Sequence, residues 1–178
     1  IAHSKKRVAS LERLPRTDDV QKQIIDGRTA LGLYMVQMNY HAEAKEAIDQ
    51  IIDLAIRHKY KRRLCQIYTI LGSYNLLVED NYPGAFKALE EALKISEEMK
   101  DIVGLVFASY WYGVALGWNC EFEKSANYFQ RILDINIAGR NLWAIVINKS
   151  SLAYFSYFYN GRIDLQFETT NDVLRIAE

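Results

Sequence analysis

The chain has 178 residues, half of them hydrophobic and a quarter charged, with 22 basic side chains against 22 acidic ones. That balance excludes an intrinsically disordered chain and a generally basic nucleic-acid binder. No apolar run approaches the roughly 20 residues that span a bilayer. Only two prolines occur, which suits long helices because proline removes a donor and clashes inside a helix, and the unusual feature is the 22 aromatic residues.

Residues 1–19 carry Lys5-Lys6-Arg7 followed by Val-Ala-Ser-Leu-Glu-Arg, which is no apolar signal region. They are expected to form a short helix end and a junction. The chain begins at Ile1 and reaches Arg175-Ile176-Ala177-Glu178 inside a helical pattern, so it reads as a piece of a longer protein. From residue 20 a repeat begins, with copies expected at about 20–60, 61–100, 101–140 and 141–178. Their first halves contain Ala30-Leu31-Gly32, Ile70-Leu71-Gly72, Trp111-Tyr112-Gly113 and Ser151-Leu152-Ala153, whose third residues lie 40, 41 and 40 apart. Their second halves centre on Ala44, Ala85, Ser125 and Gln166. Ile48, Leu89, Phe129 and Thr170 follow four residues later, and Ile51, Ala92, Ile132 and Val173 seven later.

Apolar residues three and four apart predict helices throughout. In the second half of copy two, Ala85, Leu89, Ala92, Leu93 and Ser96 share a stripe with charged residues elsewhere, and Pro83 suits the first helical turn. Breaks are expected at Met38-Asn-Tyr40, His58-Lys-Tyr60, Asp80-Asn-Tyr82, Lys100-Asp101, Asn119-Cys-Glu121, Ala138-Gly139-Arg140 and Asn160-Gly161. The expectation is an all-α chain of four helical hairpins after a short N-terminal helix. Gly32, Gly72 and Gly113 in first helices suggest close helix approach, since glycine inside a helix otherwise costs about 0.5–1 kcal/mol relative to alanine.

Tyr68, Leu71-Gly72, Ala85 and Leu89 together resemble the tetratricopeptide repeat pattern. Copy one keeps Leu31-Gly32, Ala44 and Ile48 but has Arg28 in the aromatic place. Copy three keeps Gly113 and Phe129 but has Ser125, and copy four departs furthest with Ala153, Gln166 and Thr170. The resemblance covers residues 20–178, with a longer period than usual and no closing proline. It implies a right-handed α-α superhelix, a solenoid whose first helices line a concave face. Such long-period copies look like the helical arms of bacterial signalling ATPases and ATPase-linked adenylate or guanylate cyclases. Leu11-Glu-Arg-Leu14-Pro15 with Gln23, Asp26, Arg28, Leu31 and Gly32 is similar to the junction where those arms begin.

Projected onto that face are Asp26, Thr29, Gln37, Gln66, Thr69, Ser73, Phe107, Tyr110, Trp118, Ser150, Tyr154 and Tyr157. The first six are small or polar, whereas the rest are mostly aromatic, in step with the 15 of 22 aromatic residues that follow residue 100. Tyr and Trp combine large contact area with a hydrogen-bonding tip, so an aromatic end of a binding groove is one reading. Rings buried between helices, or covering a face toward another repeat, are the other. Trp111 and Trp118 share a helical face, which leaves at least one of them available to the core.

No enzyme is expected. His3, His41 and His58 lack metal-ligand spacing to one another or to Cys65 and Cys120, no phosphate-binding glycine loop occurs, and no cofactor is implied. Both cysteines are expected as small buried hydrophobes in a reducing compartment. The run Arg57-His58-Lys59-Tyr60-Lys61-Arg62-Arg63 reads first as a solvated turn and second as a site for an anionic peptide, lipid headgroup or nucleic acid. The expected role is a protein- or peptide-binding regulatory arm of a larger cytoplasmic signalling protein. Its partner is another protein or another domain of the same chain, with a homodimer as a further option and no nucleic acid or membrane span. The alternatives are an arm sensing a small effector in an aromatic pocket, and a structural or dimerisation spacer.

Overall fold

The structure, a computed structural model, describes residues 1–178 and is helical without strands. Its helices are α1 (Ala2–Leu11), α2 (Asp18–Gln37), α3 (His41–Asp49), α4 (Ile52–Arg57), α5 (Lys61–Leu77), α6 (Tyr82–Met99), α7 (Ile102–Trp118), α8 (Phe122–Ala138), α9 (Leu142–Leu152) and α10 (Ile163–Ala177). A π-helical segment, Ala153–Phe158, continues α9. The chain divides into two compact units, Ile1–Ala108 and Ser109–Glu178, and α7 runs from the first into the second. No helix is long and apolar enough to cross a membrane.

Every expected break is a turn of one kind. Asn39, Lys59, Asp80, Lys100, Cys120, Arg140 and Gly161 all have positive φ, between 48° and 69°. The left-handed conformation ends a helix by letting an amide just beyond reach back to a carbonyl of the last turn. Tyr40, Tyr60, Asp101, Glu121, Asn141 and Arg162 each donate N–H to the carbonyl five residues earlier, at 2.8–3.0 Å. Only one of the seven positions is glycine, so six side chains are held where L-residues are rarely comfortable. The hydrogen bonds made at each turn offset that strain.

These turns also show where single residues have been added. Successive left-handed positions lie 20 apart across second helices and across α7, but 21 apart from Lys59 to Asp80 and from Arg140 to Gly161. After α5 the extra residue widens the turn, and Asn81 N–H donates to the carbonyl of Asn75, six residues back, at 2.8 Å. In the last hairpin it is absorbed inside the helix as the π segment.

Close approach explains the repeated glycines. A Cβ on Gly72 would sit 2.7 Å from Leu89 Cδ2, one on Gly32 3.2 Å from Ile48 Cγ2, and one on Gly113 3.1 Å from Phe129 Cζ. The bulky residue four after the Ala-like position therefore plugs the gap left by the glycine of the paired helix. Ile48, Leu89 and Phe129 are all fully buried. Pro83 lies at the start of α6, where Asn81 Oδ1 also accepts from Gly84 N–H at 3.0 Å.

One second helix is broken where the periodicity predicts continuity. α3 ends at Asp49 and α4 starts at Ile52. Arg28, standing in the aromatic place of copy one, donates from Nη1 to the Ala47 carbonyl at 3.1 Å and from Nη2 to Gln50 Oε1 at 2.7 Å. Ile51 N–H accordingly turns to the Ile48 carbonyl at 2.9 Å instead of to Ala47. A side chain inserted into the helical ladder is an established cause of a kink. Arg28 itself is held by an ion pair to Glu12, with Nε to Oε1 at 2.7 Å, which ties the segment after α1 to the first hairpin.

His41, the first residue of α3, is buried, and its Nδ1 lies 3.3 Å from Ser73 Oγ on α5. Ser73 spends its own proton on the Ile70 carbonyl at 2.9 Å, so Nδ1 is the donor in this contact. Burial lowers the pKa of His41 below its ordinary 6.5. Because the unfolded chain then binds the extra proton, stability is full above pH 6.5 and falls as pH drops toward the lowered value. The expected slope is at most about 1.4 kcal/mol per pH unit. Urea unfolding between pH 7.5 and 5 reads this slope, and His41→Gln is expected to flatten it; an equal slope in the variant would assign it to another group.

Candidate protein-interaction surface

The structure sorts the twelve projected residues into three groups. Thr29, Thr69, Ser73 and Gln66 are buried in the first unit and offer no surface to a partner. Thr69 Oγ1 donates to the Cys65 carbonyl at 3.0 Å, Ser73 Oγ to the Ile70 carbonyl at 2.9 Å, and Gln66 Oε1 accepts from Arg63 Nη1 at 2.8 Å. Asp26, Phe107, Tyr110 and Tyr157 are half-buried. Asp26 is paired with Arg63 at 2.5 Å, and Tyr110 accepts from Ser151 Oγ at 3.3 Å. Burial raises the pKa of the Tyr110 phenol, and the Ser151 bond opposes that shift. Gln37, Trp118, Ser150 and Tyr154 are exposed, Gln37 in the first unit and the other three in the second.

Within the second unit Trp118 and Tyr154 flank one ring, Phe155, at centroid distances of 6.3 Å and 5.0 Å. Tyr154 meets Tyr159 edge-on at 5.7 Å, Phe158 meets Tyr159 at 5.3 Å, and Phe122 stacks on Tyr159 at 5.3 Å with planes 5° apart. Trp118, Tyr154, Phe158 and Tyr159 remain 42–53% exposed, so the packing of the unit uses only part of each ring. The result is an exposed aromatic ridge along the turns that close α7 and the π segment. Tyr159 donates its hydroxyl proton to Tyr154 at 3.4 Å, and that bond raises the Tyr159 pKa. Phe158, Tyr159 and Phe122 are absent from the projection. The signal that could have found Phe158 and Tyr159 is local: Tyr154-Phe-Ser-Tyr-Phe-Tyr159 holds five rings in six residues, and Tyr154 and Tyr159 at its two ends meet edge-on.

Beside the ridge, between the π segment and α10, lies an open notch of about 370 Å3 lined by Ser150, Ala153, Tyr154, Phe158, Gln166 and Thr170. Its position follows from the repeat. Copies one to three fill this place with Ala44 and Ile48, Ala85 and Leu89, and Ser125 and Phe129, whereas copy four supplies Gln166 and Thr170. Across α10, Lys149 pairs with Asp172, and Arg162 covers the Tyr157 ring at 5.3 Å.

The second half of the basic run is paired with neighbouring carboxylates. Lys61 pairs with Glu98 at 2.9 Å, Arg62 with Asp101 at 3.5 Å and Arg63 with Asp26 at 2.5 Å, while His58 Nε2 lies 2.8 Å from Gln21 Oε1. Through these pairs Lys61, Arg62 and Arg63 tie the start of α5 to α2 and to the residues that end α6 and precede α7. The cysteines separate. Cys65 is buried against the Ala92 carbonyl, and burial together with the Asp101 charge pushes its thiol up to about 12, which makes it inert at neutral pH. Cys120 corrects the expectation of burial: it occupies a left-handed turn position and is exposed. No group of three or more His, Cys, Asp or Glu side chains is placed to hold a metal. Compared with known proteins, the chain matches no protein-family model and no curated protein.

Proposed function

We propose that the chain is a tetratricopeptide-like, right-handed α-α superhelix of four hairpins that binds protein or peptide as a regulatory arm of a larger cytoplasmic signalling protein. The repeat reading is supported by seven left-handed turns at 20- or 21-residue spacing and by glycine and bulky residues interlocking in three successive hairpins. The single observation that carries the binding role is the ridge of Trp118, Tyr154, Phe158 and Tyr159, large rings that the unit's own packing leaves half open. Residues of this type, clustered and partly desolvated, dominate protein interfaces, where losing one costs about 2 kcal/mol or more.

Peptides selected from a random library on the intact chain test this. The variant Trp118→Ala, Tyr154→Ala, Tyr159→Ala is expected to keep its helical signal and lose at least about tenfold in affinity, the equivalent of 1.4 kcal/mol. Peptides that bind chain and variant equally would place the surface elsewhere. A small effector seated in the notch is the second reading, favoured by the Ser150 and Thr170 hydroxyls and the Gln166 amide beside two rings. A metabolite that raises the melting temperature of the chain, but not of Gln166→Leu, would support it.

A further inference from the structure

The fourth second helix leaves open what the other three hide. The positions of Thr170 hold Ile48, Leu89 and Phe129 in the earlier copies, all at 0% exposure, whereas Thr170 is exposed. Ala55, Ser96 and Asn136 are buried, whereas Ala177 in the same position is exposed. Leu93 and Leu133 are 8% and 5% exposed, whereas Leu174 is 58% exposed, and Phe167 on the same stripe reaches 66%. α10 has no buried residue, yet Ile163, Phe167 and Leu174 recur at helical spacing along its outer side.

What covers the earlier stripes is visible in each unit. In the first, α5 packs on both α2 and α3 and brings Ile70 to within 2.9 Å of the Cβ position of Gly32, beside Ile48. In the second, the π segment packs on α8 and stacks Phe155 on Phe129 at 6.0 Å. Both covers are first helices of the following repeat. Before the first repeat, α1 serves as a lid on α2, with buried Val8 3.2 Å from the Cβ position of Gly27. The α10 stripe has no such cover, and there the plug itself is missing: Thr170 and Gln166 leave the notch where Ile48, Leu89 and Phe129 stand elsewhere.

We infer that the outer stripe of α10 and the adjoining notch form the seat for the first helix of a further repeat of this pattern, which inserts a large apolar side chain between Ala153, Phe158 and Thr170. Solenoid repeats bury their faces only by stacking on neighbours, and an outermost face free of a partner is ordinarily polar. This face is apolar, so it is built for occupation. The inference rests on the repeat reading proposed above and does not need the ridge to bind anything. It specifies a helix in the repeat's own register as occupant, in place of an extended peptide or a second copy of the chain.

The test extends the whole chain after Glu178 with a second copy of residues 57–100, which carries α5 and α6 and keeps the repeat period. Amides of residues 163–177 are expected to exchange with solvent at least tenfold more slowly in the extended chain than in the 178-residue one. Phe167→Glu with Leu174→Glu is expected to abolish that protection, while leaving the helicity of the 178-residue chain unchanged. Unaltered exchange across 163–177, or an extension that stays unfolded, would overturn the inference. So would a concentration-dependent dimer of the 178-residue chain with the same amides protected, because a second copy would then be the occupant. Library peptides that still bind the extended chain at the ridge separate a failure of this seat from a failure of the binding role.

Discussion

Phe129→Ala is expected to destabilise the second unit by about 3–5 kcal/mol, the range for removing a large aromatic side chain from a close-packed core. Phe129 is fully buried, lies edge-on to Tyr110 at 5.8 Å, stacks on Phe155 at 6.0 Å and fills the hollow over Gly113. Aromatic contacts of this kind add to the plain burial of area, and total stabilities are only about 5–15 kcal/mol. Urea unfolding measures the loss, and amide exchange locates it: residues 109–178 should open while 1–108 keep most of their protection. Phe122→Ala is the control, because Phe122 is only half-buried against an exposed Tyr159. A loss at Phe129 no larger than that of the control would show that the ring is not the plug of the third hairpin.

The second large effect is a reversal of sign at Gly72. Alanine normally improves a helix over glycine by roughly 1 kcal/mol, but here its Cβ would press on Leu89, which is fully buried and cannot retreat. Gly72→Ala alone is therefore expected to destabilise by about 1–2 kcal/mol, as overpacking does. Leu89→Ala alone should cost about 2–5 kcal/mol. In the Leu89→Ala background, however, Gly72→Ala should stabilise, because it regains helix propensity and fills part of the cavity. The double-mutant cycle should give a coupling of about 2–3 kcal/mol, at the upper end for residues in contact. Additive effects would mean that the two positions do not interlock.

These two experiments probe features that were readable in the chain before any coordinates. Gly32, Gly72 and Gly113 fall in register with Ile48, Leu89 and Phe129 because one steric rule, small against large, repeats at each hairpin. All seven breaks were readable too, since a helix must stop where its apolar stripe loses phase. The break between α3 and α4 was not, because it depends on Arg28 reaching across to the Ala47 carbonyl from another helix. The π segment was equally hidden: the extra residue before Gly161 shows in the spacing, but whether a helix or its turn absorbs it depends on packing. Among the projected residues, Trp118 and Tyr154 are exposed whereas Thr69 and Ser73 are buried. Hydroxyls that bond back to their own helix carbonyls can be buried without an outside partner, so a polar letter there does not signal exposure.

The left-handed turns have a genetic consequence. Lys59 and Lys100 have φ of 48° and 52°, so both turns are closed by a residue in the same left-handed conformation. A recombination event that joined residue 59 to residue 101 would remove one hairpin and still leave a properly shaped joint. A duplication between the same two points would add one just as smoothly. The 41-residue block between these two turns is thus a natural unit of exchange, and the length of an array of this kind is set as readily by gain and loss of whole blocks as by point mutation.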